Sequence, residues 1–203
     1  MTTTHLAPTK GTQTRGAILA AAIARFGRDG YRATSVADIA RDAQVGGTVA
    51  YAYFPNKEAL FLAALDEDAA AVIHEGLDRV LADPSIDAWR ETLIVTLVQA
   101  LDRHPLARRI VAGLEPDVTE RVIDIPALAE LRKGLAERLK AEQLAGLVRA
   151  DVDAAVMANG VVAIVIPLLM AVVQLGAAAA SVYAADVVAV FEAALSAPGS
   201  CPS

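Results

Sequence analysis

Between Asp153 and Asp186 the chain carries no charged side chain, and within that interval residues 160–180 read GVVAIVIPLLMAVVQLGAAAA. A stretch this long and apolar has two places to go: a bilayer, or the inside of a helical assembly. A membrane span is ordinarily bordered by Lys/Arg on one side and aromatic anchors on both. Here Asp151 and Asp153 precede the stretch, Tyr183 and Asp186 follow it, and Pro167 and Gln174 lie inside it. These flanks favour a buried helix over residues 153–175, followed by another over 181–196. Both are apolar around most of their circumference, which is more surface than one monomer can cover. A second copy packed about a two-fold axis removes the excess. Val161, Val165, Leu168, Val172, Tyr183, Val187, Val190 and Phe191 are the expected contacts of that homodimer.

The rest of the chain also reads as helix. Hydrophobic residues make up 55% of the 203 positions but aromatics only 4%, so the core is built from Ala, Leu, Val and Ile, a composition that favours closely packed helices. No segment alternates with period two over a strand's length. Helical spacing of apolar residues predicts helices over 12–28, from Pro55-Asn56 to 82, over 86–103, 105–113 and 126–147. The last of these should be a charged, solvent-facing helix with Leu128, Leu131, Leu135, Leu139 and Leu144 as its stripe. Gly146 is its expected C-cap, and Asp151 or Asp153 the next N-cap.

Residues 34–57 stand apart. The spacing of Val36, Ile39, Ala40 and Ala43 predicts a short amphipathic helix over 36–43, with Thr34 or Ser35 as its N-cap. A second segment, 47–54, is too short and too rich in Gly to hold its shape alone. Two short helices joined by a tight turn form a helix-turn-helix, whose second helix enters the major groove of DNA. Charge supports this placement. The first sixty residues hold seven basic side chains (Lys10, Arg15, Arg25, Arg28, Arg32, Arg41, Lys57) against four acidic ones (Asp29, Asp38, Asp42, Glu58), whereas the whole chain carries −6. Only the N-terminal part therefore suits a polyanion.

The segments AILAAAIARFGRDGY, TSVADIARDAQV and YAYFPNKEALFLAAL together resemble the TetR family of bacterial transcriptional regulators over about residues 14–65. The resemblance implies an all-α fold, with a three-helix DNA-binding domain joined by a shared helix to a larger helical domain for ligand binding and dimerisation. The expected division is an arm over 1–11, the DNA-binding domain over 12–57, the second domain over 58–196 and a tail over 197–203. Carried over by residue, it makes Thr34, Tyr51 and Lys57 phosphate contacts and puts Gly47, Thr48 and Ala52 on the face that meets the bases. The sequence departs from the family's usual spelling at Gly46-Gly47-Thr48-Val49, one residue out of step, and at Gln44, where a turn glycine is common.

The same resemblance implies a pocket for a small-molecule effector in the C-terminal body and a cytoplasmic repressor that acts on a palindromic operator. Trp89, His104, Met157, Asn159 and Met170 are candidate lining residues, and an apolar effector suits the Leu, Val, Ile and Ala around them. A rival reading is a helical small-molecule-binding or membrane-associated protein whose N-terminal unit mediates protein contacts. No enzyme, cofactor or metal is expected: His5, His74 and His104 are scattered, and no nucleophile elbow or glycine-rich phosphate loop is present. Asp66 and Asp68 are expected on a solvated helix face. The lone Cys201 excludes an intrachain disulfide.

Overall fold

In the computed structural model, residues 9–82, 95–116, 126–176, 186, 189–191 and 193–196 are described, and no strand occurs among them. The sequence-expected arm, the tail, and Trp89, Tyr183 and Val187 lie outside the described residues, in whole or in part.

Helix α1 is Lys10–Ala33, longer at both ends than its apolar pattern predicts. Thr9 Oγ1 accepts from Thr12 N–H at 3.3 Å and starts it. Near its end Gly30 takes φ 85°, ψ 169°, a conformation open to glycine, and breaks the helical path. Helices α2, Val36–Asp42, and α3, Gly47–Tyr53, follow. Helix α4, Lys57–Ala82, is capped by Asn56, whose Oδ1 accepts from Ala59 N–H at 2.8 Å. Residues 95–101 form α5, then come α6, Pro105–Val111, α7, Pro126–Leu144, and α8, Ala154–Leu175. Asp153 caps α8 by accepting from Ala155 and Val156 N–H. Asp151 instead pairs with Arg149 at 2.7 Å.

Two apolar cores result. The first gathers Ile18, Leu19, Ala22 and Phe26 of α1, Val36, Ile39 and Ala40 of α2, Ala50 of α3, and Leu60 to Leu65 of α4. Phe26, Tyr31 and Phe61 meet edge to face or stacked, with centroids 5.0–6.1 Å apart, geometries that aromatic quadrupoles favour. The second core joins Val72 and Ile73 of α4 to Leu97 and Leu101, to Leu131, Leu135 and Leu139 of α7, and to Val161, Val165 and Leu169 of α8. Helix α4 thus serves both cores, as a shared helix should. Helix α6 does the same across its width: Leu106 and Ile110 enter the first core and Ala107 the second.

Several expectations about the body change. Asp68 is buried, not solvated. Its Oδ2 accepts from Leu106 and Ala107 N–H, each at 2.9 Å. Asp66 Oδ1 accepts from Ala127 N–H at 3.0 Å. Helices α6 and α7 both begin at proline, and each takes the cap for its free amides from a carboxylate on α4. On α7, the stripe expected to include Leu144 stops at Leu139, and Leu144 is 80% exposed. The helix ends there because Gly146, at φ 75°, closes a Schellman turn with Gly146 N–H on Gln143 O and Leu147 N–H on Glu142 O. Nor is α7 solvent-facing throughout, since its Leu stripe and Glu142 are buried.

Candidate nucleic-acid interface

The turn between α2 and α3 is a Schellman motif: Gln44 N–H bonds Arg41 O at 3.0 Å and Val45 N–H bonds Ala40 O at 2.9 Å. Gln44 occupies its left-handed position at φ 57°, where a β-carbon is strained. The turn departs from the usual glycine without changing shape. At the start of α2, Ser35 Oγ caps the helix by accepting from Asp38 N–H at 3.1 Å and donates to Asp38 Oδ2 at 2.6 Å. Arg25 of α1 grips the other end of α2, with Nε and Nη2 on the two oxygens of Asp42 at 2.6 and 3.0 Å. That contact holds Asp42 below the usual carboxylate range. Arg28 does the same for Asp29, and the Ser35 hydroxyl for Asp38.

Helix α3 is held by its inner face, where Ala50 is fully buried and Phe54 nearly so. Its other face is open. Gly47, Thr48 and Ala52 are exposed as expected, Tyr51 is 54% exposed, and Val49 joins them at 36%. Val49 shares this exposed face without being singled out from the sequence as a contact, although the one-residue offset there already marks the position. Gly46 starts α3 without a side-chain cap, and Val49 N–H turns back on Gly46 O at 2.9 Å.

Two expected contacts turn inward. Thr34 is only 3% exposed, its hydroxyl donating to Gly30 O at 2.8 Å, and the cap of α2 is Ser35 instead. The side chain facing outward at this bend is therefore Ser35. Lys57 is half-buried. Its ammonium lies 4.5 Å above the Tyr31 ring and donates to Arg32 O at 3.4 Å, where a cation satisfies the end of α1. Its position joins α1 to α4 rather than standing free on the reading face.

A short exposed helix, propped by a tight turn and two capped neighbours, is the arrangement that the helix-turn-helix reading requires. Residues 18–64 match the family model described as bacterial regulatory proteins, tetR family. The match spans α1 to α4, the unit that holds the helix-turn-helix. The likeness of fold to solved structures extends over nearly the whole chain. A TetR-family transcriptional regulator from Mesorhizobium loti superposes with TM-score 0.68 at 22% identity, covering 93% of this chain and 100% of that one. The fatty acid degradation regulator FadR from Bacillus halodurans gives 0.66 at 19%, covering 91% and 96%. FadR from Bacillus subtilis, in complex with stearoyl-CoA, gives 0.65 at 15%, covering 88% and 98%. No curated protein matches the chain in sequence.

The helical body places the other predicted residues as follows. His104 sits among polar partners on α4. Its Nδ1 lies 2.9 Å from Asp68 and its Nε2 3.2 Å from Glu75, which also pairs with Arg103. Met157 packs in the second core, with Gln143 Nε2 3.6 Å from its sulfur. Asn159 points outward and Met170 is half-buried.

The predicted dimer contacts need correction. Val161 and Val165 are buried within the monomer, Val165 to 3%, because that face of α8 lies on α7. Leu168 and Val172 are half-buried, and Phe191 packs against the second core. Val190 stays exposed. The open apolar stripe of α8 is one step round the helix, at Val156, Gly160, Ala163, Ile164 and Pro167. Helix α8 is long and apolar enough to cross a membrane, with mean hydropathy 2.5 over its best window, yet its inner face is already occupied by protein.

Proposed function

We propose that the chain is an effector-responsive repressor that binds a palindromic operator as a homodimer. The observation that carries this reading is the reading face itself: Gly47, Thr48, Val49, Tyr51 and Ala52 stand exposed on a helix whose opposite side is locked into the core. Small side chains let the backbone come close to DNA. Val49 and Ala52 suit thymine methyl groups, and Thr48 suits a base edge or a phosphate. Tyr51, exposed on the same face, serves as a phosphate donor.

The exposed stripe on α8 supports association with a second copy, since a face bearing Val156 and Ile164 is costly to leave in water. A two-fold pair places two reading heads on one face of a duplex when they stand about 34–36 Å apart. An effector that favours another separation shifts the population away from DNA. The body's Leu, Val and Ala core favours an apolar effector, in keeping with the stearoyl-CoA bound by the Bacillus subtilis relative.

The experiment is selection of bound fragments from a random duplex pool, followed by retardation of the winning site across a salt series and sedimentation of the free protein. The expected results are an inverted-repeat site, affinity that falls steeply with salt, and a dimer. A protein that retains no duplex even at low salt, or that sediments as a monomer under all conditions, overturns the reading. Recovery in the membrane fraction would favour the membrane-associated alternative instead.

A further inference from the structure

We propose that Glu115 is a positioning residue for operator recognition, the carboxylate through which the body sets the angle of the reading head. This rests on the dimeric repressor reading above.

Gly30, near the end of α1, has φ 85° and ψ 169°. Its left-handed backbone takes Tyr31 N–H out of the α1 ladder, and a buried amide without an acceptor is costly. The acceptor comes from far along the chain: Glu115 Oε1, in the segment just after α6, lies 3.0 Å from Tyr31 N although 84 residues separate them. The same oxygen accepts from Arg109 Nε of α6 at 2.7 Å. Glu115 is only 8% exposed and Arg109 is mostly buried beside it, so the pair works in a poorly solvated place where charged hydrogen bonds are strong.

Glycine is what admits them. A Cβ built at Gly30 would lie 2.5 Å from Arg109 Nη2 and 2.6 Å from Glu115 Oε1. One turn earlier, a Cβ at Gly27 would lie 2.7 Å from Pro105 Cβ and 2.9 Å from Pro105 C. Helix α1 therefore rests on α6 at two points: on its first residue through Gly27, and on its far end through the Glu115–Arg109 pair.

What Tyr31 holds in place leads to the DNA-reading face. Its ring packs on Phe26 and Phe61, and Thr34 Oγ1 closes the bend by donating to Gly30 O. Ser35 then caps α2, and α2 carries α3 on the Schellman turn at Gln44. Only four residues separate the Glu115 contact from the start of the helix-turn-helix. A displacement at Glu115 is thus delivered to the recognition helix with little slack to absorb it. In a dimer, the tilt of each head sets the separation of the two recognition helices, and so the spacing of half-sites that fits.

The test uses the full chain and a set of duplexes in which two copies of the selected half-site are separated by spacers of different length, plus a duplex with one half-site. The wild type should show one preferred spacer. Glu115→Ala should lose about tenfold in affinity for that duplex and shift or broaden the spacer preference, while single half-site affinity stays unchanged. Glu115→Gln keeps an oxygen for Tyr31 N–H and gives up the charge on Arg109, so it should fall between the two. Leu139→Ala, a core change in α7 remote from the head, controls for stability: it should lower the active fraction equally at every spacer. Circular dichroism shows which variants fold, and Glu115→Gln carries the test if Glu115→Ala does not. Wild-type spacer preference in a folded Glu115 variant overturns the positioning role alone. A wild type that binds no duplex overturns the repressor reading and this role with it.

Discussion

Replacing Gln44 by glycine should make the protein more stable, although Gln44 is exposed and its side chain packs in no core. Its backbone sits at φ 57°, where an L-residue pays roughly 1–2 kcal/mol for its β-carbon. Glycine removes that strain but adds freedom to the unfolded chain, which costs about 0.5–1 kcal/mol. The two Schellman hydrogen bonds use only main-chain atoms, so they survive the change. The net gain is about 0.5–1 kcal/mol, which at a urea slope of about 2 kcal/mol per M moves the midpoint up by about 0.25–0.5 M. The assay is urea unfolding followed by far-ultraviolet circular dichroism, at one protein concentration because association with a second copy adds to apparent stability. Gln44→Ala keeps the strain and should lie near the wild type. A midpoint that falls with glycine, or that rises equally with alanine, would refute the strain argument.

Gly27→Ala should force α1 away from α6, because its Cβ would meet the backbone of Pro105 and Leu106 at 2.9–3.0 Å; a loss of about 1–3 kcal/mol is expected by the same unfolding assay, and a neutral result would mean that the two helices are not held in contact. Tyr51→Phe should weaken operator binding about fivefold at every sequence without altering the salt slope, since a neutral phenol displaces no counterion, whereas Thr48→Ala should change which sites are selected. Ile164→Glu, on the open stripe of α8, should give a folded monomer by sedimentation, while Val165→Glu, buried one residue on, should not fold; a dimeric Ile164→Glu protein would displace the interface from this face. Stability should also respond to acid in a definite direction. Asp29, Asp38 and Asp42 are held below their ordinary range in the folded chain, so their contribution is complete above the unfolded value of about 3.9 and is lost as pH falls through the lower folded values. Urea midpoints should therefore hold steady from neutral pH to about 5 and decline below about 4, with a shallower decline in Arg25→Met; a decline centred near pH 6 would point to other groups.

The elements that the sequence reveals are those whose information is local. The apolar spacing in 36–43, the cap at Asp153 and the glycine at 146 each act within a turn or two of themselves, and each appears where the pattern puts it. The helix-turn-helix was legible for the same reason, and so was the exposure of Thr48, Tyr51 and Ala52, which follows from burying Ala50 and Phe54. Errors begin where a residue's partner lies far along the chain. Asp66 and Asp68 look like a solvated acidic face, because nothing near them shows that Pro105 and Pro126 start helices against them. Thr34 and Ser35 are interchangeable as caps until Gly30 turns Thr34 inward.

By itself, then, the sequence determined the class of fold, the place of the reading helix and the presence of an apolar surplus near the C-terminus, since composition and short-range periodicity encode helices and their faces. Tertiary structure decided which way each face turned. On α8, a stripe of valines spaced for a helix is apolar on both sides, and only the packing of α7 turns Val161 and Val165 inward and leaves Val156 and Ile164 outside. At the junction of head and body, one carboxylate meets an amide 84 residues away. Such a pairing is specified by the closing of the fold, and no local pattern carries it.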